Sequence, residues 1–276
     1  MTNIIELSLT SLKKKKIPNP ELDLRILIKH ASKIKKEVTL NNVNLDNIDL
    51  EYFKSLVFKR LNNEPISKII NKKYFWKNEF YVNSYVLDPR PETELIIDEV
   101  LENVKSKEKK IKILDIGTGS GCIAISLAHE LPNAEITAID VCPKALDVAN
   151  KNIKFNKFDK RINLQLINFY NLKDKYDFIV SNPPYLSEGA YKTSQKEIKN
   201  YEPKIALLGG KDGLFFYKLF AKNIEKILKN NSFFICEIGH DQLNSCINIF
   251  KNTNLNLKKI SKDIQNFDRT LTFSNI

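Results

Sequence analysis

The sequence predicts an α/β protein, a doubly wound and mostly parallel sheet joined through a β-hairpin to a small N-terminal helical domain. Three observations carry this. From Ile111 onward, short apolar runs of strand length alternate with amphipathic stretches of helix length. A glycine-rich segment, Asp115 to Gly121, falls at one such strand-to-helix junction. The residues before Lys72 show helical periodicity only. A chain of 276 residues holds one large domain or two smaller ones. We place the boundaries at 1–72 for the helical domain, 73–88 for the hairpin linker and 89–276 for the α/β domain.

Asn3–Leu12 has apolar positions at helical spacing, and Pro18 and Pro20 break the chain after it. Glu21–Lys35 continues as a helix, with Pro20 suited to its first turn. Leu50–Leu61 carries an amphipathic stripe of Leu50, Phe53, Leu56, Val57 and Leu61. Glu64-Pro65-Ile66 interrupts it, and one more helical turn reaches Ile70. Aromatic and β-branched residues over Tyr74–Leu87, around turn-like Lys77-Asn78 and Asn83-Ser84, read as a hairpin. A helix runs from Glu92 to about Val104, followed by a charged break at Lys105–Lys110. Strands are expected at Ile111–Ile116, Glu135–Asp140, Ile162–Ile167, Tyr176–Ser181 and Ser232–Ile238, and two more in the tail. Between them, Cys122–Leu131, Pro143–Phe155, Leu214–Leu228 and Asp241–Phe250 read as helices.

Composition removes several function classes. With 42% hydrophobic and 28% charged residues the chain can build a core. No apolar run approaches the ~18 residues of a membrane span. Lys13–Lys16 lie on the wrong side of Met1–Leu12 for a secretory signal, so a cytoplasmic protein is expected. Cys122, Cys142, Cys236 and Cys246 are scattered without metal-ligand spacing to His30, His129 or His240, so they read as core residues and no metal is expected. The net charge of +11 admits a polyanionic partner. Arginine, the usual base reader, appears only at Arg25, Arg60, Arg90, Arg161 and Arg269. A solvated lysine surface is the simpler reading, and no stable nucleic-acid partner is expected.

Two segments carry chemistry. In Asp115-Ile116-Gly117-Thr118-Gly119-Ser120-Gly121, glycines permit a tight turn and close backbone approach to a ligand at a helix N-terminus. The next strand ends at Asp140, where a carboxylate accepts hydrogen bonds from ribose hydroxyls. On these residues alone NAD and S-adenosylmethionine remain alternatives. Ser181-Asn182-Pro183-Pro184-Tyr185 follows a later strand at the edge where open sheets place their sites. Consecutive prolines rigidify the backbone and supply no N–H. Asn182 then offers a side-chain carbonyl beside the Pro183 carbonyl, a pair of acceptors suited to a planar NH2 group, and Tyr185 an aromatic face.

Asn-Pro-Pro-Tyr after a Gly-x-Gly-x-Gly loop resembles S-adenosylmethionine-dependent methyltransferases that modify planar nitrogen. Two branches share it: N6-adenine methyltransferases and the glutamine methyltransferases of class I peptide chain release factors, the HemK/PrmC family. The second is favoured by Asn63-Glu64-Pro65-Ile66, Pro89-Arg90-Pro91-Glu92-Thr93-Glu94, Tyr201-Glu202-Pro203, Ala206-Leu207, Gly209-Gly210, Asp212-Gly213-Leu214, Glu237-Ile238-Gly239 and Asp268-Arg269, which resemble that family's pattern in its order. The resemblance covers nearly the whole chain and implies a Rossmann-like class I methyltransferase fold.

It also implies site roles. Gly117, Thr118, Gly119, Ser120 and Gly121 would cradle the methionine part of S-adenosylmethionine, Asp140 its ribose, and Phe169 its adenine. Relatives often have Asp-Trp where this chain has Asn168-Phe169. Asn182, Pro183, Pro184 and Tyr185 would hold the substrate glutamine, with Asn182 and Pro183 catalytic and Asn182 also near the cofactor. Pro89–Glu94 either lines the cofactor's other side or simply opens a helix. The implied reaction methylates N5 of the glutamine in the Gly-Gly-Gln loop of class I release factors, in support of translation termination. The helical domain would grip that factor, and the enzyme is expected to be a monomer. Two rivals stand beside this: an N6-adenine methyltransferase acting on DNA or RNA, and a catalytically silent RNA- or ribosome-binding module.

Overall fold

A computed structural model describes residues 3–32, 40 and 43–275. The chain forms two compact units, one of Met1–Lys72 with Gln195–Tyr201, the other of Lys73–Ser194 with Glu202–Ile276.

In the first unit, α1 (Asn3–Lys14), α2 (Pro20–His30), α3 (Leu50–Leu61) and the short α4 (Ile66–Ile70) pack together. Their apolar faces bury Leu12, Leu24, Leu27, Ile28, Phe53 and Leu56. Pro20 sits in the first turn of α2, as its fixed φ favours. That helix ends earlier than its periodicity suggests: the Ala31 amide closes on Leu27 O, and Ser32 bridges Ile48. The rest of the expected helix, 33–35, lies outside the described residues. The Asp49 side chain caps α3 by accepting from the Tyr52 amide at 3.0 Å. Inside the unit, Arg60 on α3 makes a buried ion pair with Asp23 on α2 at 2.7 Å and donates to Glu64 O.

The second unit opens with a hairpin, β1 (Lys72–Phe75) and β2 (Asn78–Tyr81). Its turn is Trp76-Lys77, one residue earlier than expected, with Trp76 left-handed at φ 53°. Strand pairing stops at Tyr81, short of Leu87; the Asn83 carboxamide closes an Asx turn on the Tyr85 amide instead. The main elements follow as α5 (Glu94–Asn103), β3 (Lys112–Ile116), α6 (Cys122–Glu130), β4 (Glu135–Asp140), α7 (Pro143–Phe155), β5 (Ile162–Leu166) and β6 (Tyr176–Ser181). Two short helices absent from the sequence reading come next in the chain, α8 (Glu188–Thr193) in this unit and α9 (Lys196–Tyr201) in the first. Both consist of six residues with no buried face, so no apolar stripe announces them. Last come α10 (Phe215–Ile227), β7 (Leu228–Glu237), α11 (Leu243–Phe250), β8 (Asn256–Lys262) and β9 (Asp268–Ser274).

The seven main strands lie in the order β5-β4-β3-β6-β7-β9-β8, parallel except for β9, which runs antiparallel to both neighbours. Both faces are covered. Ile113, Phe178, Val180 and Ile235 point into the core beneath α5, α6 and α7, and Leu114, Ile179, Phe234 and Cys236 into the core beneath α10 and α11. This alternation explains why the central strands read as continuous apolar runs. Strand order reverses between β3 and β6, which opens a crevice at their carboxyl ends.

Candidate active site

The loop after β3 fits that crevice because three glycines adopt left-handed φ: Gly117 at 72°, Gly119 at 54° and Gly121 at 81°. The Gly117 and Thr118 amides both donate to Ile139 O on β4 at 2.9 Å. The Gly119 amide turns to the Asp140 carboxylate at 3.0 Å, whose other oxygen accepts from the Cys142 amide at 2.9 Å. Asp140 thus holds the loop as well as facing the cleft, with one hydrogen bond on each carboxylate oxygen and further lone pairs spare. Burial pushes its carboxyl up against the pull of those amides.

A single cleft in the second unit is lined by Gly117, Thr118, Gly119, Ser120, Asp140, Phe169, Asn182 and Pro184, and also by Asn168 and Thr93. Three of the residues singled out from the sequence stand elsewhere. Gly121 faces α7: a Cβ there would lie 3.4 Å from Ile125 Cδ1 and 3.5 Å from Ala149 Cβ, so its place is in helix packing. Pro183 is buried off the cleft wall, and Tyr185 packs against the core beneath α10 and α11. Burial pushes the Tyr185 phenol up, so it stays neutral. Phe169 is itself buried, with its ring 5.3 Å from that of Phe220, and presents only an edge of the cleft wall. Pro89 to Glu94 does both things considered for it. Pro89, Arg90 and Thr93 line the cleft, and Pro91–Thr93 forms a 3-10 turn leading into α5.

Asn182 is held in one rotamer. Its Nδ2 donates to Thr93 Oγ1 at 2.8 Å, and that hydroxyl donates to Glu237 Oε2 at 2.6 Å. The loop behind it is clamped by Gln242, whose Nε2 donates to Tyr185 O at 2.9 Å and to Gly213 O at 3.2 Å while its Oε1 accepts from the Gly239 amide. Two glycines pass very close: a Cβ on Gly209 would sit 2.5 Å from Pro184 O, and one on Gly213 2.4 Å from Tyr185 O. On the other side of the cleft, Asn152 of α7 is fully buried and joins the glycine loop to the hairpin. It donates to Ser120 O at 2.8 Å and exchanges two hydrogen bonds with the backbone of Tyr81.

Asn152 and Gln242 were not singled out from the sequence. Asn152 had a signal: it lies on the buried face of α7 with Ala145, Val148, Ala149 and Ile153, where a polar side chain needs a partner. Gln242 had none, because it precedes α11 in a polar stretch.

Known proteins resemble both units. Residues 6–70 match the PrmC N-terminal domain family, and residues 92–201 the Methyltransferase small domain family. A bifunctional methyltransferase of Rickettsia bellii is 39% identical over 94% of this chain and 52% of its own length. The chain thus spans about half the length of the Rickettsia relatives it matches. A release factor glutamine methyltransferase of Thermodesulfovibrio yellowstonii is 38% identical over 89% of both chains. The chain belongs to the release factor glutamine methyltransferase family. As a fold, it is similar to the solved hMettl16 catalytic domain, with a TM-score of 0.58 at 19% identity over 95% of this chain and 94% of that one. In this member of the release factor glutamine methyltransferase family, Asn182, Thr93 and Asp140 share one cleft at the reversal point of the sheet. No described helix is long and apolar enough to cross a membrane.

Proposed function

We propose that this protein transfers a methyl group from S-adenosylmethionine to the side-chain amide nitrogen of the glutamine in the Gly-Gly-Gln loop of class I peptide chain release factors. The observation that carries the proposal is the meeting, in one cleft, of the glycine loop and Asp140 with a rigidly held Asn182. Family membership supports the same reaction.

The residues suit the cofactor. Gly117 is left-handed and a Cβ there would project into open space, so the backbone itself forms the cleft wall. Asp140 keeps acceptor capacity for a diol, and Ile116, Ile139, Val141 and Phe169 supply an apolar slot for a flat base. When bound, S-adenosylmethionine would supply an activated methyl group on a sulfonium.

What remains for the chain is alignment. An amide nitrogen is a poor nucleophile because its lone pair is delocalised into the carbonyl. Asn182 spends its NH2 on Thr93, which leaves Oδ1 as an acceptor for one substrate N–H. The second would go to the backbone carbonyl of Pro183, next in the chain to Asn182, although Pro183 itself is buried off the cleft wall. Holding both hydrogens points the nitrogen at the methyl group, a positioning effect that reaches ~7–11 kcal/mol in ideal intramolecular cases. Both acceptors strengthen as the nitrogen becomes cationic, so they favour the transition state over the ground state. The proton leaves after transfer, and no strong base is needed.

Incubation with methyl-labelled S-adenosylmethionine and, in parallel, a release factor, its Gly-Gly-Ala variant and DNA tests this. Label is expected on the intact factor alone. Label on DNA alone would overturn the reading and favour adenine as the substrate.

A further inference from the structure

Two buried residues next to Asn182, Thr93 at the cleft wall and Glu237 behind it, have no part yet in the proposed reaction. Thr93 is 2% exposed and Glu237, at the carboxyl end of β7, 1% exposed. A hydroxyl has one proton to give and lone pairs to receive. An ionised carboxylate can only accept. With Glu237 ionised, the Thr93 proton must go to Glu237 Oε2, where the 2.6 Å contact places it. Thr93 Oγ1 can then only accept from Asn182, at 2.8 Å. Asn182 must therefore turn its NH2 inward and its carbonyl outward. We infer that Glu237, acting through the Thr93 hydroxyl, sets which end of the Asn182 amide faces the substrate. Both are positioning residues, and this rests on the reading that Asn182 Oδ1 accepts from a substrate N–H.

The carbonyl and NH2 ends of a carboxamide have nearly the same shape, so packing alone does not distinguish them. A wrong-way Asn182 would present a donor to a donor and repel the substrate amide. The relay removes that orientation by hydrogen-bond polarity.

The relay carries a proton switch. Protonated on Oε2, Glu237 can donate to Thr93, which releases the Thr93 proton toward Asn182 and allows the amide to turn. The surroundings put this change near neutrality. Burial pushes the Glu237 carboxyl up to about 7, against the Thr93 hydrogen bond and the nearby Arg269 and Arg90 guanidinium groups, with Glu92 adding to the rise. The other groups around it, Tyr185, Tyr217, Cys122 and Cys236, are pushed up by burial and stay neutral there.

The test compares wild type, Thr93→Val, Thr93→Ser and Glu237→Gln in two readouts. The first needs no substrate: the Asn182 side-chain NH2 signals in 15N-correlated NMR spectra, assigned by their loss in Asn182→Asp, followed from about pH 6 to pH 8. The second is kcat for release factor methylation over the same range. The wild-type Asn182 signals should shift as Glu237 titrates, and kcat should fall by about tenfold from pH 8 to pH 6. Thr93→Val should abolish both pH dependences and lower kcat by roughly 10–100-fold with cofactor affinity intact. Thr93→Ser should restore all of them. Glu237→Gln should lose the pH-dependent shift. Asn182 signals in Thr93→Val that match wild type at every pH would overturn the relay whatever the turnover. Signals that respond while kcat stays within twofold of wild type would overturn its part in catalysis. A relay that responds in a wild-type protein unable to methylate the factor would support the relay and refute the substrate reading.

Discussion

Gly213→Ala offers a severe test of how tightly the Asn182 loop is set. Gly213 has φ of 76°, in the left-handed region, where a residue with a side chain costs about 1–2 kcal/mol. The added Cβ would also lie 2.4 Å from Tyr185 O and 2.7 Å from Gln242 Nε2, the nitrogen that clamps Tyr185. Ordinary carbon–oxygen contacts begin near ~3.3 Å, so one of these backbones must shift by roughly 0.9 Å. Tyr185 O is backbone and cannot swing away, and Gln242 Nε2, although the end of a side chain, can move only by giving up its hydrogen bonds to Tyr185 O and Gly213 O. Overpacking of this kind costs about 1–3 kcal/mol, so the total loss of stability should be about 2–5 kcal/mol. Tyr185 lies three residues from Asn182 on a stretch stiffened by two prolines, so the shift carries to the amide. Misplacement by about 1 Å is enough to cost ~10²-fold in rate. Single-turnover methylation of a release factor should therefore slow by tenfold to a hundredfold, while calorimetric affinity for S-adenosylmethionine changes little. Gly189→Ala is the matched control: it sits within α8, and its Cβ would approach only Ser187 Oγ at 3.8 Å. A Gly213→Ala protein that folds and reacts within threefold of wild type would refute the claim that this crossing fixes the loop.

Asn182→Ala should lower kcat by roughly 10²–10³ through loss of one transition-state hydrogen bond, with the cofactor still bound in a calorimetric titration. Asp140→Ala should act the other way, weakening cofactor affinity most, because it removes a cleft acceptor and also releases the Gly119 and Cys142 amides. Arg60→Ala strands the Asp23 carboxylate in the core of the helical unit, and urea titration should show a loss of about 3–5 kcal/mol for that unit. Burial pushes the Asp115 carboxyl up to about 7, against hydrogen bonds from Thr118 and the Ala124 amide. The folded state therefore holds that proton more tightly than the unfolded chain, so stability falls as pH rises from about 4 to 7. Asp115→Asn should flatten this slope, and an unchanged difference between urea midpoints at pH 5 and pH 8 would refute it.

The doubly wound sheet was legible because β3, β6 and the second half of β7 are mostly buried on both faces and read as short, mainly apolar runs between helices. The glycine loop, Asp140 and Asn182 were legible for a different reason: each sits just past a strand, where chain direction and residue type together limit what the position can do. Thr93 and Glu237 stood within recognised segments, yet their relation to Asn182 was not. Contacts between residues 89 apart in Asn182–Thr93 and 144 apart in Thr93–Glu237 leave no periodic trace. Gln242 was hidden likewise, since a glutamine in a polar stretch is ordinarily solvated. Phe169 shows the opposite limit. An aromatic at the end of β5 reads equally well as a base platform or as core, and its packing on Phe220 makes it mostly core.

The seven residues Gln195–Tyr201 belong to the helical unit although they interrupt the stretch that builds the cleft. There Glu197 lies 3.7 Å from Arg60, and the Tyr201 hydroxyl donates to Asn62 O at 3.0 Å. The polypeptide thus passes between the units three times, after Lys72, after Ser194 and after Tyr201. Such interleaving rules out modular exchange by one cut. A fragment ending at Lys72 lacks a piece of its own unit, and one beginning at Lys73 carries that piece as an orphan. A chimaera between relatives must therefore graft both stretches together, and a protease that cleaves once at Lys72 severs the covalent link without parting the halves: the seven residues, packed into the helical unit, still tether what the cut was meant to release.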